Sequence, residues 1–286
     1  MGERHPYVSA GKIITIHKGR AFCYYDLMQY CVDINCDMGE SFGMYRLGAD
    51  EEVIKYITSS NIACGFHASD PDVMAKTVEL CREHGVLIGA HPGYPDRPGF
   101  GRRFMDLTEK EIVNSVIYQV GALKGFLDLF GVPLQHVKAH GALYNHLVAR
   151  NDLCVAIASA LQRAFGDIIF LILGTKKTVK LKAVCKQERI RIALEAFPDR
   201  NYTDEGELLP RKLEGAVVKD PGTIAKRAAG MVKNHGVESI NGKWIELAVD
   251  TLCIHGDNPA SMEAAKMIHD YVSAEGIKIQ PLHTIV

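Results

Sequence analysis

From Val32 to Asp37 apolar and polar residues alternate without exception. Val32, Ile34 and Cys36 fall on one side of an extended chain, and Asp33, Asn35 and Asp37 on the other. A half-buried strand with water on its polar side reads this way. So does a strand that turns its polar side into a closed sheet, where two carboxylates need a metal, a proton or a cationic partner. Further β-rich runs at 60–64, 86–90, 134–138, 168–173, 190–196 and 249–254 predict strands, with additional candidates at 215–218 and 277–280. Helical patterning is expected at 50–58, 71–84, 108–130, 151–165, 221–235 and 259–275. Asp70-Pro71 supplies an N-cap with proline in the first turn, Thr108 and Glu111 form a capping box, and His84-Gly85 is a glycine stop. Strand-then-helix order predicts a parallel α/β sheet with right-handed crossovers, either a closed barrel or an open doubly wound sheet. Residues 1–30 stand outside the pattern, with KIITI as their one strand-like run. Residues 31–286 are expected to form a single domain.

Composition narrows the class. The chain has 286 residues, 47% hydrophobic and 23% charged, with a formal net charge of -1. That is room for a large core, and the charge gives no support for nucleic-acid binding. IIFLIL at 168–173 is too short to cross a bilayer, and no leader-like N-terminal segment is visible. Eight scattered cysteines without a C-x-x-C pair read as buried thiols in a reducing cytoplasm.

Chemistry gathers at the C-terminal ends of the strands. Asn35, Asp37 and Glu40 follow the first, and His67 the second. His91, Asp96, Arg102 and Arg103 follow the third; Lys138, His140, Tyr144 and Asn145 the fourth. Glu195, Asp199, Arg200, Tyr202 and Arg211 follow the sixth, and His255 and Asp257 the last. Parallel α/β proteins build their active sites on that edge. The histidines with Asp33, Asp37 and Asp257 could bind a divalent ion or manage protons, or each histidine could be a hydrogen-bonded structural residue. Cys64-x-x-His67 has no matching second half, so Cys64 reads as a packed thiol. Gly174-Thr175-Lys176-Lys177 could cradle a phosphate or be an ordinary turn, and it lacks P-loop spacing. Arg102-Arg103 could clamp an anion or form a solvated basic loop. No G-x-S-x-G elbow is present, which argues against a serine hydrolase.

Six segments in series, DINCDMGESFG, NIACGFHASDP, GAHPGYPDRPGFGRR, HVKAHGALYN, FPDRNYTDEGELLPR and VDTLCIHGDNP, resemble the lactam-utilization family over residues 32 to about 282. Members of that family serve as the A subunit of the prokaryotic 5-oxoprolinase. Ala139, Ser69 and Pro198 depart from the usual pattern beside the polar residues, not on them. The resemblance implies a β/α barrel, irregular and seven-stranded, related to glycoside hydrolase and polysaccharide deacetylase barrels. It implies ATP-dependent opening of 5-oxo-L-proline to L-glutamate, with partner subunits B and C and Mg²⁺ or another divalent cation accompanying ATP. On that basis Asp33, Asp37, His67, His91, Lys138, His140 and His255 are the expected catalytic residues. Asn35, Glu40, Arg102, Arg103, Tyr144, Arg200, Arg211 and Asp257 are expected to hold substrate or phosphate. A metal, if the protein holds one, is expected on Asp33, Asp37, His67 and His91. Two other readings stay open: a metal-dependent amidohydrolase or deacetylase that needs no ATP, and a non-catalytic lactam-binding protein.

Overall fold

The alternation at 32–37 belongs to a barrel strand whose polar side faces inward. In the computed structural model the backbone is described for residues 13–17, 20–24, 30–254 and 259–286, and side chains for 30–254 and 262–286. β1 (Ile13–His17) and β2 (Arg20–Tyr24) pair antiparallel in a sheet of their own. β3 (Cys31–Met38), β4 (Ser59–Ala63), β5 (Leu87–His91), β6 (Leu134–Lys138), β7 (Ile169–Leu173) and β8 (Arg191–Ala196) then lie side by side, all parallel. β9 (Gly236–Glu238) and β10 (Trp244–Glu246) form a separate antiparallel pair. β11 (Thr251–Ile254) pairs with β8 on one side and with β3 on the other, Thr251 opposite Asp33, which closes a seven-stranded barrel. β12 (Lys278–Ile279) runs beside Cys31 and Val32.

Crossover helices cover the outside. They are α1 (Asp50–Val53, continued by a 3₁₀ turn), α2 (Pro71–His84), α3 (Glu109–Phe130), α4 (Gly141–Ala149), α5 (Asn151–Phe165), α6 (Lys176–Gln187), α7 (Pro221–Asn234) and α8 (Pro259–Ala274). The expected caps form: Asp70 accepts from the Val73 N–H at 2.9 Å, and Thr108 and Glu111 cap each other. Gly85 ends α2 with φ 67°. Three expectations change. Residues 215–218 form no strand, only a bridge between Val217 and Arg200. α4 and α6 add helices beyond those that the patterning predicts. α6 carries Thr178, Leu181 and Cys185 on its buried side and lysines on the other.

Val32, Ile34 and Cys36 join the outer core with Val78 and Cys81 of α2 and Val116 and Val120 of α3. The barrel interior is divided. Ile169, Leu171 and Ala193 pack with Leu282, from the C-terminal 3₁₀ turn, in a small apolar cluster. Polar side chains fill the rest. No described helix is long and apolar enough to cross a membrane.

Candidate active site

Lys138 ends β6 with its ammonium almost fully buried. Its Nζ donates to Asp37 Oδ1 at 2.9 Å and Asn35 Oδ1 at 3.2 Å, contacts Glu195 Oε1 at 3.0 Å and lies 3.0 Å from Cys253 Sγ. Burial alone would lower its pKa, but Asp37, Cys253 and Glu195 together hold it well above the ordinary lysine value. Alternation builds this network. Asn35 and Asp37 from β3, Asn61 from β4, Lys138 from β6, Glu195 from β8 and Thr251 and Cys253 from β11 share the inner face. Asn61 Nδ2 donates to both Asn35 Oδ1 and Asp37 Oδ1, and Asn35 Nδ2 to Glu195 Oε1 at 2.9 Å and Thr251 Oγ1 at 2.8 Å. Burial and Glu195 push the Tyr144 phenol well above its usual pKa, so it stays protonated and donates to Glu195 Oε2 at 2.8 Å.

Above Lys138, three histidines and a glutamate converge. His91 Nδ1 lies 2.8 Å from the Lys138 carbonyl and His140 Nε2 2.8 Å from the Phe100 carbonyl. A carbonyl can only accept, so those nitrogens carry the protons. The remaining nitrogens, His91 Nε2 and His140 Nδ1, face each other at 3.0 Å. His91 Nε2 also lies 3.3 Å from Asp37 Oδ2. Glu40 Oε1 is 3.5 Å from both His67 Nε2 and His140 Nδ1. Burial holds His67 and His140 well below the ordinary histidine pKa, so both are neutral, and it raises that of Glu40. One donor atom from each of Glu40, His67, His91 and His140 lies within 4.8 Å of the others.

Close-packed glycines let the 92–101 loop lie against these rings. A Cβ on Gly93 would meet His67 Nδ1 at 2.7 Å. One on Gly101, whose φ is +63°, would meet His67 Cβ at 2.8 Å and His140 Cδ2 at 2.9 Å.

The LamB/YcsF family model matches residues 32–286. The chain belongs to the LamB/YcsF family. The A subunit of 5-oxoprolinase from Pyrococcus horikoshii is 48% identical over 255 residues, covering 89% of this chain and 99% of that one. The protein of the same name from Campylobacter jejuni is 46% identical with the same coverage. The lactam utilization protein of Thermus thermophilus superposes with a TM-score of 0.80 at 39% identity, over 87% of this chain and 99% of that one. A putative cellobiose-phosphate cleavage protein from Enterococcus faecalis shares the fold, with a TM-score of 0.54 at 11% identity over 90% and 99% of the two chains.

In this LamB/YcsF chain the expected site residues divide into groups. Asp37, Lys138, Asn35 and Tyr144 meet in the inner network, and Glu40, His67, His91 and His140 in the cluster above it. Asp33 lies a level below both and joins the inner network through Thr251. It is fully buried, with Oδ1 accepting from Ser59 at 2.6 Å and Thr58 at 2.7 Å, and Oδ2 from Thr251 at 2.5 Å. Burial lifts its carboxyl to about 6, against those hydroxyls. Among the described residues the donor atoms that converge are those of Glu40, His67, His91 and His140; of the residues expected on a metal, Asp33 and Asp37 are outside that group. Arg103 clamps Asp96, its Nε 2.9 Å from Oδ2, and draws that carboxyl down to about 2. Arg200 donates to the Ala216 and Leu209 carbonyls and so holds the 197–217 loop. Neither presents an uncommitted fork to a ligand. Exposed Arg102 lies over the Phe100 ring, near enough to influence Glu40, His67 and Arg200, and Arg211 also lies near Arg200. His255 and Asp257 fall outside the described residues.

Gly174-Thr175-Lys176-Lys177 is a capped helix start. Thr175 accepts from the Thr178 N–H, Lys176 pairs with Glu246 at 3.2 Å, and a Cβ on Gly174 would collide with the Ala248 carbonyl. A cavity of about 290 Å³ beside it shares no lining residue with the barrel network. Cys64 is a buried core thiol, raised to about 12 by burial. The seven described cysteines are all free. Glu195, which the sequence places at a strand end without a role, is a member of the inner network, as are Asn61, His136 and Cys253, which lie within the resembling segments but carry no expected role. His136 is neutral, lowered to about 3 by burial and by Lys138, and its Nε2 donates to Asn61 Oδ1 at 2.7 Å. The signal for both is the same two-residue spacing: His136 with Lys138, and Cys253 with Thr251.

Proposed function

We propose that this chain is the A subunit of a cytoplasmic 5-oxoprolinase, the component that opens 5-oxo-L-proline to L-glutamate in an ATP-dependent reaction with partner subunits B and C. The observation that carries the reading is the buried Lys138–Asp37–Glu195 network, set beneath the histidines in a barrel whose relatives bear that name along 99% of their length. A five-membered lactam is an unstrained amide with a poor leaving nitrogen, so opening it needs an activated carbonyl, a base and an acid. ATP would supply the activation by phosphorylating the lactam oxygen with release of ADP; water addition and C–N cleavage would then leave an acyl phosphate, from which a second water releases inorganic phosphate. Lys138, held charged, stabilises negative charge on the oxygens of the reacting carbon. Asp37 takes a proton from the attacking water, and His91, 3.3 Å from its Oδ2, carries protons toward the ring nitrogen. Arg102 and Arg211 hold the substrate carboxylate.

Among the described residues no recognisable ATP phosphate cradle forms. Its one lysine-rich helix start is tightly capped and ion-paired. On this reading partner subunits complete the nucleotide site, with Mg²⁺ accompanying ATP. A reaction containing this chain, subunits B and C, ATP, Mg²⁺ and 5-oxoproline, with each component omitted in turn, tests this. Glutamate should form only in the complete mixture, matched by ADP. Full turnover by this chain with ATP and Mg²⁺ alone would refute the shared site. The Glu40–histidine cluster favours a second reading, amide hydrolysis without ATP. Glutamate release without ADP would select it.

A further inference from the structure

We infer that Glu40 Oε1, His67 Nε2, His91 Nε2 and His140 Nδ1 bind one zinc-class divalent cation at the mouth of the barrel. Three observations independent of the lactam reading carry this. First, Glu40 Oε1 and both ring nitrogens of His67 are buried with no hydrogen-bond partner, an arrangement that costs stability unless something fills it. Second, His91 and His140 each give one N–H to a backbone carbonyl, at 2.8 Å in both cases, which is how proteins orient imidazoles that ligate metals. Their other nitrogens lie 3.0 Å apart, close enough for one cation to take both as ligands. Third, the spacing fits. Bonds of about 2.0–2.1 Å in a tetrahedral site separate donors by about 3.3 Å. Three of the pairs here lie at 3.0, 3.5 and 3.5 Å.

Donor chemistry selects the ion. Three imidazoles and one carboxylate suit Zn²⁺ and its borderline neighbours, whereas Mg²⁺ demands oxygen ligands. The rings of His67 and His140 stack at 3.8 Å and 5°, so their in-plane lone pairs lie in parallel planes and meet on one ion only if a ring tilts. His67, held by no hydrogen bond, is the ligand that tilts to complete the site. Asp37 Oδ2, 3.3 Å from His91 Nε2, borders the same space and is placed to accept a proton from water there.

The test uses the full chain, tag removed, stripped with chelator and titrated with Zn²⁺ by calorimetry and with Co²⁺ by visible absorption. One equivalent of Zn²⁺ should bind, with a four- or five-coordinate Co²⁺ spectrum, a higher melting temperature on Zn²⁺ addition and no competition from millimolar Mg²⁺. Glu40→Gln and His67→Ala should each weaken binding at least ~100-fold and abolish the Zn²⁺-dependent rise in melting temperature. Failure of the wild-type chain to bind a stoichiometric equivalent would overturn the inference whatever the variants do. So would undiminished binding by a folded Glu40→Gln, His67→Ala double variant. Loss of lactam activity with metal binding intact would reject the proposed function and leave the site standing.

Discussion

Replacing Lys138 with methionine removes the charge on which the inner network depends, at nearly constant volume. At an effective dielectric of about 20, the contacts at 2.9 Å to Asp37 and 3.0 Å to Glu195 are each worth roughly 6 kcal/mol before desolvation is subtracted. Breaking such a buried set by deleting one partner costs ~3–5 kcal/mol net, because the stranded carboxylates stay out of water. For a chain of this size that lowers the melting temperature by ~10 °C. Urea unfolding of Lys138→Met and of Lys138→Met, Glu195→Gln gives the decisive comparison. Glu195→Gln should destabilise the wild-type background and recover at least ~1 kcal/mol in the Lys138→Met background, since it neutralises a charge that has lost its partner. A Lys138→Met chain within ~1 kcal/mol of wild type, or one that Glu195→Gln makes still less stable, would refute the reasoning.

Asp33 should show the opposite pH behaviour to a salt-bridged carboxylate. Its folded pKa is raised from 3.8 to about 6, so its contribution is fully present below 3.8 and is lost as pH rises through 6. Wild type should therefore lose ~2 kcal/mol relative to Asp33→Asn between pH 4 and pH 7, read from urea midpoints, and a flat difference would contradict this. Gly101→Ala combines a left-handed φ with contacts on His67 and His140, and should cost at least ~1–2 kcal/mol and disable the reconstituted enzyme. A fully active Gly101→Ala chain would show that the loop does not fix the histidines. A chain beginning at Met28 should melt within a few degrees of the full-length one, because among the described residues β1 and β2 pair only with each other. A fall of ~10 °C would mean the N-terminal segment packs on the barrel.

The strand-and-helix order is legible in the sequence because its signals are local, whereas closure into a barrel rests on the family resemblance. Alternation at 32–37, glycine stops and the Asp70 and Thr108 caps are written within a few residues of one another. What the sequence leaves open is depth. Asp33 and Asp37 share a strand face and differ by four residues, yet one lies among three hydroxyls and the other beside Lys138 and His91. No periodicity separates those two levels, which is why the expected metal set takes in Asp33 and misses Glu40. Glu40 sits past the strand end, and only the fold of the loop after β3 returns it to His67 and His140. Arg103 and Arg200 read as ligand holders because arginine forks suit anions, but their partners, Asp96 and two backbone carbonyls, are apparent only once the loops are folded. Cys253 reads as one thiol among eight, and its contact with Lys138 depends on β11 closing the barrel.

The most direct measurement of the central claim is glutamate release from 5-oxoproline by wild-type and Asp37→Asn chains, each reconstituted with subunits B and C, ATP and Mg²⁺. Asp37→Asn removes one charge at nearly constant shape from a side chain that meets Lys138, Asn61 and His91. The account predicts a folded variant, matching wild type in circular dichroism, whose turnover falls at least ~100-fold. Near-normal turnover by that variant would contradict it.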